Sequence, residues 1–445
     1  MSESIDLQGY KGRARELLLS AGVRVGDEVR IIRDGIIYEG VLAPRVEYGG
    51  DEYIVIKLRS GYNIGIRVTS GDVKVEKLPA RREVRYKPPT IPEAKADLPR
   101  IAILGTGGTI ASRVDYRTGA VTPIFSADDL YGFTPELADI ARIDVETIFN
   151  IFSEDMTPRH WSTIASKIGE YVESGVKGVV VTHGTDTMGY TAAALSFALR
   201  NLPVPVVLVG AQRSPDRPSS DAALNLLGAA TAAAKAPFAE VVVAMHRGLS
   251  DDEIVFHRGT RVRKCHTSRR DAFKSVNGDP IAVYNSCEIR MLVEDYRRRG
   301  GIEGFKIEAD FEDKVTLVKF YPGFDPSIID WYVDRGYRGI IIEGTGLGHV
   351  SNRCIPSIKR AIDSGVFVGM TSQCIWGRVN MNVYRTGREL QAIGVVPLED
   401  MLPETALVKL MWVLARASSM DEARSLMLTN IAGEISVRTS FRWYT

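Results

Sequence analysis

Two short segments of the sequence place hydroxyl and carboxylate side chains directly after apolar runs. Thr109 lies in GTGGTIAS at residues 105–112, which follows the run IAIL. Thr185 and Asp186 lie in THGTDTM at residues 182–188, which follows GVVV. The carboxyl ends of parallel strands meet at one edge of an α/β sheet, and ligands bind there. The two segments therefore predict a site where a threonine hydroxyl and a carboxylate act on one substrate.

The glycines of the first segment set it apart from nucleotide-binding loops. Three glycines allow the backbone to turn sharply and approach a substrate closely. The dinucleotide pattern GxGxxG fails because Ile110 stands where the third glycine belongs, and no GK[ST] follows that would make a phosphate loop. A purely structural turn is the alternative for this loop. In the second segment, Asp186 or Thr187 is an alternative helix cap. Capping alone does not explain two threonine-bearing loops at one edge.

From residue 100 onward, short apolar runs alternate with helical patterns, which predicts a doubly wound parallel sheet. The predicted strands lie at 101–104, 178–184, 205–210 and 241–245, and the predicted helices at 157–175, 187–201 and 221–235. A bridge at 296–312 leads to a second α/β unit, with strands at 315–323, 338–346 and 366–373 and helices near 404–416 and 420–429. The predicted fold class is a two-domain α/β core with parallel sheets, divided into residues 100–300 and 301–445.

The first 86 residues have a different pattern, in which short strands are separated by turn signals such as Asp34-Gly35. This pattern predicts a small β-barrel that serves as an accessory domain. Residues 87–99 hold four prolines among charged residues and predict a stiff linker. The basic run RREVRYK at 81–87 is either a solvated face or a contact to RNA.

The overall composition excludes several classes of protein. The 56 basic and 55 acidic residues give a net charge of +1, so no global field attracts nucleic acid or a membrane. The four cysteines are widely spaced, which argues against a zinc site or disulfides and favours a reduced, cytoplasmic setting. The amino-terminal residues do not resemble a signal peptide, and no apolar run has the roughly 20 residues of a membrane span. We therefore expect a cytoplasmic protein without membrane contact.

Together, GTGGTIAS and THGTDTM resemble the paired signatures of bacterial-type L-asparaginases and glutaminase-asparaginases, over roughly residues 100–425. The resemblance implies that Thr109 is the nucleophile that attacks a side-chain amide. It implies that Thr185, Asp186 and Lys264 activate it, with Lys264 in RKCHTSRRDAF at 263–273. A threonine hydroxyl is a weak nucleophile and needs such a base. The alternative for Lys264 is a solvated basic face or an RNA contact.

The same resemblance assigns the substrate-binding residues. Ser153, in NIFSEDMTP, would hold the α-carboxylate of the substrate, although it is also a candidate helix cap. Asp186 would also bind the α-ammonium group, and Tyr116 would form a hydrogen bond with the nucleophile. The backbone N–H of Thr185 is a candidate oxyanion donor.

The sequence departs from simple asparaginases at two places. It has EGTGLGH at 343–349 where they carry an asparagine-rich loop, and it has the additional amino-terminal domain. That domain, with VGAQRSPDRPSSD at 209–221 and TNIAGEISVRTS at 429–440, resembles the D subunits of archaeal glutamyl-tRNA(Gln) amidotransferases.

The second resemblance implies a division of labour. The D subunit releases ammonia from glutamine or asparagine and needs no cofactor. A partner, the E subunit, binds the misacylated tRNA, uses ATP and Mg²⁺, and converts Glu-tRNA(Gln) to Gln-tRNA(Gln). The expected assembly is a two-plus-two heterotetramer built on a homodimer of this chain, with tRNA(Gln) bound mainly by the partner.

Two other hypotheses remain at this point. One is a free asparaginase or glutaminase with an accessory domain. The other is a non-catalytic RNA-binding protein, which would use the basic runs at 81–87, 261–270 and 297–299.

Overall fold

A computed structural model describes most of the chain, namely residues 7, 9–43, 45, 51–58, 63–79, 97–108, 110, 112–115, 120–123, 134–213, 220–285 and 288–439. These residues form two compact units. The first is drawn from 1–91, 111–124 and 213–220, and the second from 92–110, 125–212 and 221–445. The domain boundaries drawn from the sequence stay predictions, and the basic run at 81–87 and most of the linker lie outside the described residues.

The first unit is a β-rich domain. One antiparallel sheet contains β1 (Glu28–Arg33), β2 (Ile36–Leu42), β3 (Tyr53–Lys57), β4 (Asn63–Arg67) and β5 (Val73–Lys77), in the order β4-β3-β2-β1-β5. Asp34 and Gly35 both have positive φ, as a two-residue hairpin requires. The sequence did not predict helix α1 (Gly12–Ser20), which buries Ala14 and Leu18 against the sheet residues. A short hairpin, β7 (Ser112–Asp115) with β8 (Ala120–Pro123), also belongs to this unit.

The second unit contains the main sheet, in the order β18-β17-β14-β13-β12-β10-β6-β9. Its strands are β6 (Arg100–Gly105), β9 (Arg142–Thr147), β10 (Val179–Thr182), β12 (Val206–Val209), β13 (Val241–His246), β14 (Ile254–Arg258), β17 (Ala282–Tyr284) and β18 (Ile289–Met291). The five strands from β13 to β9 in this order are parallel, whereas β14, β17 and β18 extend the sheet with antiparallel pairings. The predicted strands at 101–104, 178–184, 205–210 and 241–245 all lie in the parallel part.

A second, parallel sheet has the order β20-β21-β22-β23. Its strands are β20 (Val315–Lys319), β21 (Gly339–Gly344), β22 (Phe367–Ser372) and β23 (Val396–Pro397). Two small pairings complete the strands: β11 (Leu199–Arg200) with β19 (Lys306–Ile307), and β15 (Val262–Lys264) with β16 (Phe273–Ser275). This arrangement confirms the predicted α/β class, although the main sheet is mixed and only the second sheet is fully parallel.

The helices of the second unit follow the strands closely. They are α2 (Pro158–Glu173), α3 (Met188–Ala198), α4 (Ala222–Lys235), α5 (Ser327–Asp334), α6 (Ile355–Asp363), α7 (Arg385–Ala392), α8 (Pro403–Leu414) and α9 (Met420–Leu428). Helices α3 and α8 pack together between the two sheets, and both are buried along most of their length. Alanines at 192–194 let α3 pack closely on several sides at once. The position of α3 matters for function because the helix begins two residues after Asp186.

A fully buried ion pair fixes the segment after α9. Lys409 Nζ lies 2.6 Å from Glu434 Oε1, and both side chains have no exposed surface. Lys409 also donates to the carbonyls of Met427 and Thr429, and the Glu434 carboxylate accepts from the N–H groups of Ile431 and Ala432. Burial lowers the pKa of Lys409, and Glu434 acts against that shift. The lysine therefore depends on its single acidic partner.

Replacement of this partner tests the role of the pair in stability. We expect Glu434→Ala to lower the free energy of unfolding by about 3–5 kcal/mol, because an uncompensated charge stays buried. Asp363→Ala is the control, because its pair with Lys359 is exposed on both sides and contributes at most about 1 kcal/mol. Urea unfolding measures both variants, and equal effects of the two would contradict the assignment.

Candidate active site

The carboxyl ends of β6, β10 and β12 open on the same edge of the main sheet, because the three strands are parallel neighbours. Thr106 ties the loop after β6 to the loop after β10. Its Oγ1 and its N–H both donate to the carbonyl of Thr182, at 2.8 and 3.1 Å. The two segments with the predicted active-site threonines therefore meet at this edge, as the sequence predicted.

Glycines let three loops come closer than side chains would allow. A Cβ on Gly108, where φ is 83°, would lie 2.6 Å from the backbone N of Gly184. A Cβ on Gly107 would lie 2.3 Å from the carbonyl of Ile151, and one on Gly184 would lie 2.7 Å from the Cβ of Ser153. The loop at 151–153, which carries the buried Ser153, thus lies beside both threonine loops. Thr109 and Tyr116 lie outside the described residues, so their positions stay predictions.

Lys264 joins this edge from another part of the chain. Its Nζ donates to Thr185 Oγ1 at 2.8 Å and to Asp186 Oδ1 at 2.9 Å. The side chain of Lys264 is 14% exposed, whereas that of Asp186 is 70% exposed. The amine is therefore largely withdrawn from water and held between a hydroxyl and a carboxylate. The alternative of a solvated basic face is wrong for Lys264.

The path of residues 259–264 explains how the lysine reaches the site. A Cβ on Gly259 would lie 2.9 Å from the carbonyl of Ala192 in α3, and one on Gly189 would lie 3.3 Å from the carbonyl of Val262. The segment therefore runs back along α3 toward the start of that helix, where Asp186 lies. Lys264 pairs across the β15–β16 hairpin with Phe273, which is buried.

The alternative capping roles do not account for the polar residues. Thr187 occupies the N-cap position of α3, yet its hydroxyl donates to the carbonyl of Ser153 at 2.6 Å instead of accepting from the helix. Helix α2 begins at Pro158 with Thr157 as its N-cap, so Ser153 does not cap it. The hydrogen bond from Thr187 to Ser153 joins the loop before α2 to the start of α3.

Sequence reasoning assigned no role to His183, which is fully buried behind the second loop. Its Nδ1 lies 2.7 Å from the carbonyl of Gly184, and its Nε2 lies 2.8 Å from Thr191 Oγ1. Burial lowers the pKa of His183 to about 4, so the ring is neutral near pH 7. A carbonyl only accepts, so Nδ1 carries the hydrogen and Nε2 accepts from Thr191, which in turn accepts from Trp161. His183 thereby fixes the backbone of Gly184.

Several arginines of the basic runs are used inside the protein. Arg261 is 3% exposed and pairs with Asp400 at 3.0 Å. Arg270 pairs with Asp251. Arg299 donates to the carbonyls of Ala233 and Ala236 at the end of α4, and burial lowers its pKa to about 10. These contacts reduce the basic surface available to RNA.

The described residues contain no cluster of three or more side chains that suits a metal ion. They also contain no helix long and apolar enough to cross a membrane. The polar groups that do converge are suited to covalent chemistry on an amide: a buried lysine amine, two threonine-bearing loops and an exposed carboxylate.

Comparison with known protein families agrees with this geometry. The asparaginase N-terminal domain family matches residues 100–296, and the glutaminase/asparaginase C-terminal domain family matches 314–427. The GatD N-terminal domain family matches 23–78. Among solved structures, the thermostable L-asparaginase from Thermococcus kodakarensis superposes with a TM-score of 0.70 at 34% identity, covering 76% of this chain and 100% of that chain. The second unit thus has the fold of the asparaginases.

Curated relatives extend the match to the whole chain. The D subunit of the glutamyl-tRNA(Gln) amidotransferase of Pyrococcus furiosus is 56% identical, over 96% of this chain and 98% of the relative. The corresponding D subunit of Thermofilum pendens is 52% identical, over 98% of both chains. The chain belongs to the family of glutamyl-tRNA(Gln) amidotransferase D subunits. Both resemblances drawn from the sequence are thereby confirmed.

The close approach of the loops predicts a strong effect of one methyl group. We expect Gly108→Ala to lower amide hydrolysis at least about a hundredfold, because a displacement of about 1 Å at the site has that effect. The added Cβ collides with Gly184, and alanine disfavours this φ. Ammonia release by the purified protein measures the change. Gly336→Ala is the control, since it also has positive φ but an open surrounding and leaves activity unchanged.

Buried neutral histidines predict a loss of stability in acid. Burial lowers the pKa of His183 to about 4 and that of His257 to about 3, against about 6.5 in the unfolded chain. Below pH 6.5 the unfolded state binds more protons than the folded state. Each histidine therefore lowers the free energy of unfolding by about 1.4 kcal/mol for every unit by which the pH decreases, until the pH reaches the folded pKa. Stability from this source is fully present above about pH 6.5.

Urea unfolding between about pH 7 and about pH 5 measures this dependence. His183→Gln removes one histidine's share of the slope, and His257→Gln removes the other's. The same slope in His183→Gln and in the wild-type protein would contradict the prediction.

Proposed function

We propose that this chain releases ammonia from glutamine or asparagine through a threonine acyl-enzyme and supplies it to a partner that amidates Glu-tRNA(Gln). One observation carries the proposal: the Lys264 amine is held 2.8 Å from Thr185 and 2.9 Å from Asp186, beside the glycine loop that leads into Thr109. A weak hydroxyl nucleophile needs a nearby base, and this amine is the candidate.

In the proposed first step, the hydroxyl of Thr109 attacks the side-chain amide carbon. Its proton passes through Thr185 to Lys264, which acts as the base, and the carbonyl oxygen gains negative charge that the N–H of Thr185 stabilises. The C–N bond then breaks, and the nitrogen leaves as ammonia after it takes up the proton. The product is an acyl ester on Thr109.

In the second step, water attacks this ester and the acid product leaves. Lysine and Thr185 take the proton from water and return it to the Thr109 oxygen, so the enzyme is regenerated. Tyr116 is proposed to orient the Thr109 hydroxyl.

Substrate recognition is proposed to use the two remaining polar groups. The exposed carboxylate of Asp186 is free on its solvent side to bind the α-ammonium group, even while one oxygen accepts from Lys264. Ser153 lies on the loop next to Gly184 and is proposed to bind the α-carboxylate. Contacts to both charged groups on the α-carbon would fix the side-chain amide against Thr109.

The partner is proposed to be the E subunit of the amidotransferase, in a two-plus-two heterotetramer built on a homodimer of this chain. The E subunit would bind tRNA(Gln), ATP and Mg²⁺, whereas this chain needs no cofactor. A cytoplasmic location belongs to the same proposal. The support is the match to curated D subunits along 96–98% of this chain, which includes the amino-terminal unit. A free asparaginase leaves that unit without a role, since the similar asparaginase structure covers 76% of the chain.

The test is ammonia release from glutamine and from asparagine, measured with and without the E subunit, ATP and Glu-tRNA(Gln). We expect release to rise in the complete mixture and to fall at least about a thousandfold in Thr109→Ala, because the nucleophile is lost. Thr163→Ala, an exposed threonine on α2, is the control and keeps full activity.

Each other result has a definite meaning. Equal release with and without the partner would identify a free asparaginase instead. Unchanged release in Thr109→Ala would refute the assigned nucleophile.

A further inference from the structure

Arg263 and Lys264 are neighbours on β15 and face in opposite directions, as successive side chains of a strand do. Lys264 extends toward Thr185 and Asp186. Arg263 extends to Glu404, and its Nε lies 3.2 Å from Glu404 Oε1. The Glu404 side chain is 12% exposed and that of Arg263 is 31% exposed. An ion pair that is mostly shielded from water therefore lies on the reverse face of the strand that carries the proposed base.

Glu404 is itself held in a fixed position. It occupies the first turn of α8, where the partial positive charge of the helix end favours a carboxylate. Burial raises the pKa of Glu404, and Arg263 acts against that shift. Helix α8 packs on α3 and on the second sheet, so its first turn is a rigid support for β15.

The groups that face Glu404 come from three elements. Arg263 comes from β15, Tyr190 from α3 and Glu343 from the end of β21, and Glu343 also raises the pKa of Glu404. Glu343 has its own cation, Lys319, at 3.5 Å. Arg263 is therefore the cation that balances Glu404.

A second arginine anchors the other end of the strand. Arg261 donates to the carbonyl of Gly433, to Asp400 and to Ser436 Oγ. Two of these contacts are to residues of the segment TNIAGEISVRTS, Gly433 and Ser436. Strand β15 is thus attached at both ends to residues that follow the second sheet.

We propose that Arg263 and Glu404 form a positioning pair, which fixes β15 from its reverse face and thereby holds Lys264 Nζ within hydrogen-bonding distance of Thr185 and Asp186. The role of Lys264 as base rests on the proposed function. The pair does not contact the substrate, so it acts on catalysis only through Lys264.

The pair has a definite pH dependence. Glu404 loses its charge as pH falls through its raised pKa, so the attraction to Arg263 is lost at a higher pH than for an ordinary surface glutamate. Tyr190 keeps its proton in this range because burial raises its pKa, and Glu343 lies next to Lys319. The acid limb of kcat should therefore change when Glu404 is made non-titratable.

The experiment uses the full chain with its partner, ATP and Glu-tRNA(Gln). We measure kcat and KM for ammonia release. We expect Glu404→Gln and Arg263→Met each to lower kcat about tenfold while KM changes less than about twofold, because the base is displaced and the substrate-binding groups are not. The double variant should be no slower than either single variant. Arg263→Lys keeps a positive charge that can contact Glu404, so this variant should recover most of kcat.

Glu240→Gln is the matched control. Glu240 pairs with Arg258 at 2.7 Å with similar burial, but it lies at the amino end of β13, on the opposite edge of the main sheet. This variant should lower the melting temperature and leave kcat and its acid limb unchanged. An equal loss of kcat in Glu240→Gln and Glu404→Gln would overturn the proposal, because the effect would then be general destabilisation.

A crystal structure of Glu404→Gln gives a readout independent of activity. We expect Lys264 Nζ to move out of hydrogen-bonding distance of Thr185 Oγ1. Unchanged distances of 2.8 and 2.9 Å would overturn the proposal. If Glu404→Gln does not fold, the same comparison is made for Arg263→Met against Arg263→Lys. A failure of the proposed function is distinguishable, since it would appear as Thr109→Ala with wild-type activity.

Discussion

The hydrogen bond from Lys264 Nζ to Thr185 Oγ1 is the contact on which the arrangement of the proposed active site depends. It joins residues that are 79 positions apart. After β13 the chain reverses through the antiparallel strand β14 and then runs back along α3 to return to the edge where β10 ends. The antiparallel extension of the sheet thus has a chemical consequence, since it returns a lysine to a parallel-sheet edge.

The close packing around this contact limits the choice of residues. Gly107, Gly108 and Gly184 stand where any side chain would collide with a neighbouring loop. His183 adds a neutral, buried ring that fixes one of these loops through Thr191. Such loops have little freedom to relax, so the described part of the site is largely organised before a substrate binds. The side chain of Asp186 is largely exposed, which is consistent with a group that binds a charged substrate.

The sequence was sufficient for the α/β class and for the meeting of two threonine loops, because buried parallel strands are continuous apolar runs such as 178–181. It did not predict β14, β17 and β18, nor helices α5, α6 and α7, whose patterns are short and mixed. Lys264 was placed only by resemblance to a family, since no local pattern reveals a contact across 79 residues. No sequence pattern indicated a role for Glu404, because that role depends on which side chain of β15 faces it.

The buried charges behind the site are better explained by geometry than by stability. An ion pair withdrawn from water adds little net stability, since its desolvation offsets most of the attraction, but removal of one partner is costly. Such a pair therefore specifies one arrangement strongly. Arg261 with Asp400 and Arg263 with Glu404 specify the position of a three-residue strand that is too short to fix itself. In this way residues beyond position 399, which supply no proposed catalytic group, determine where the proposed base lies.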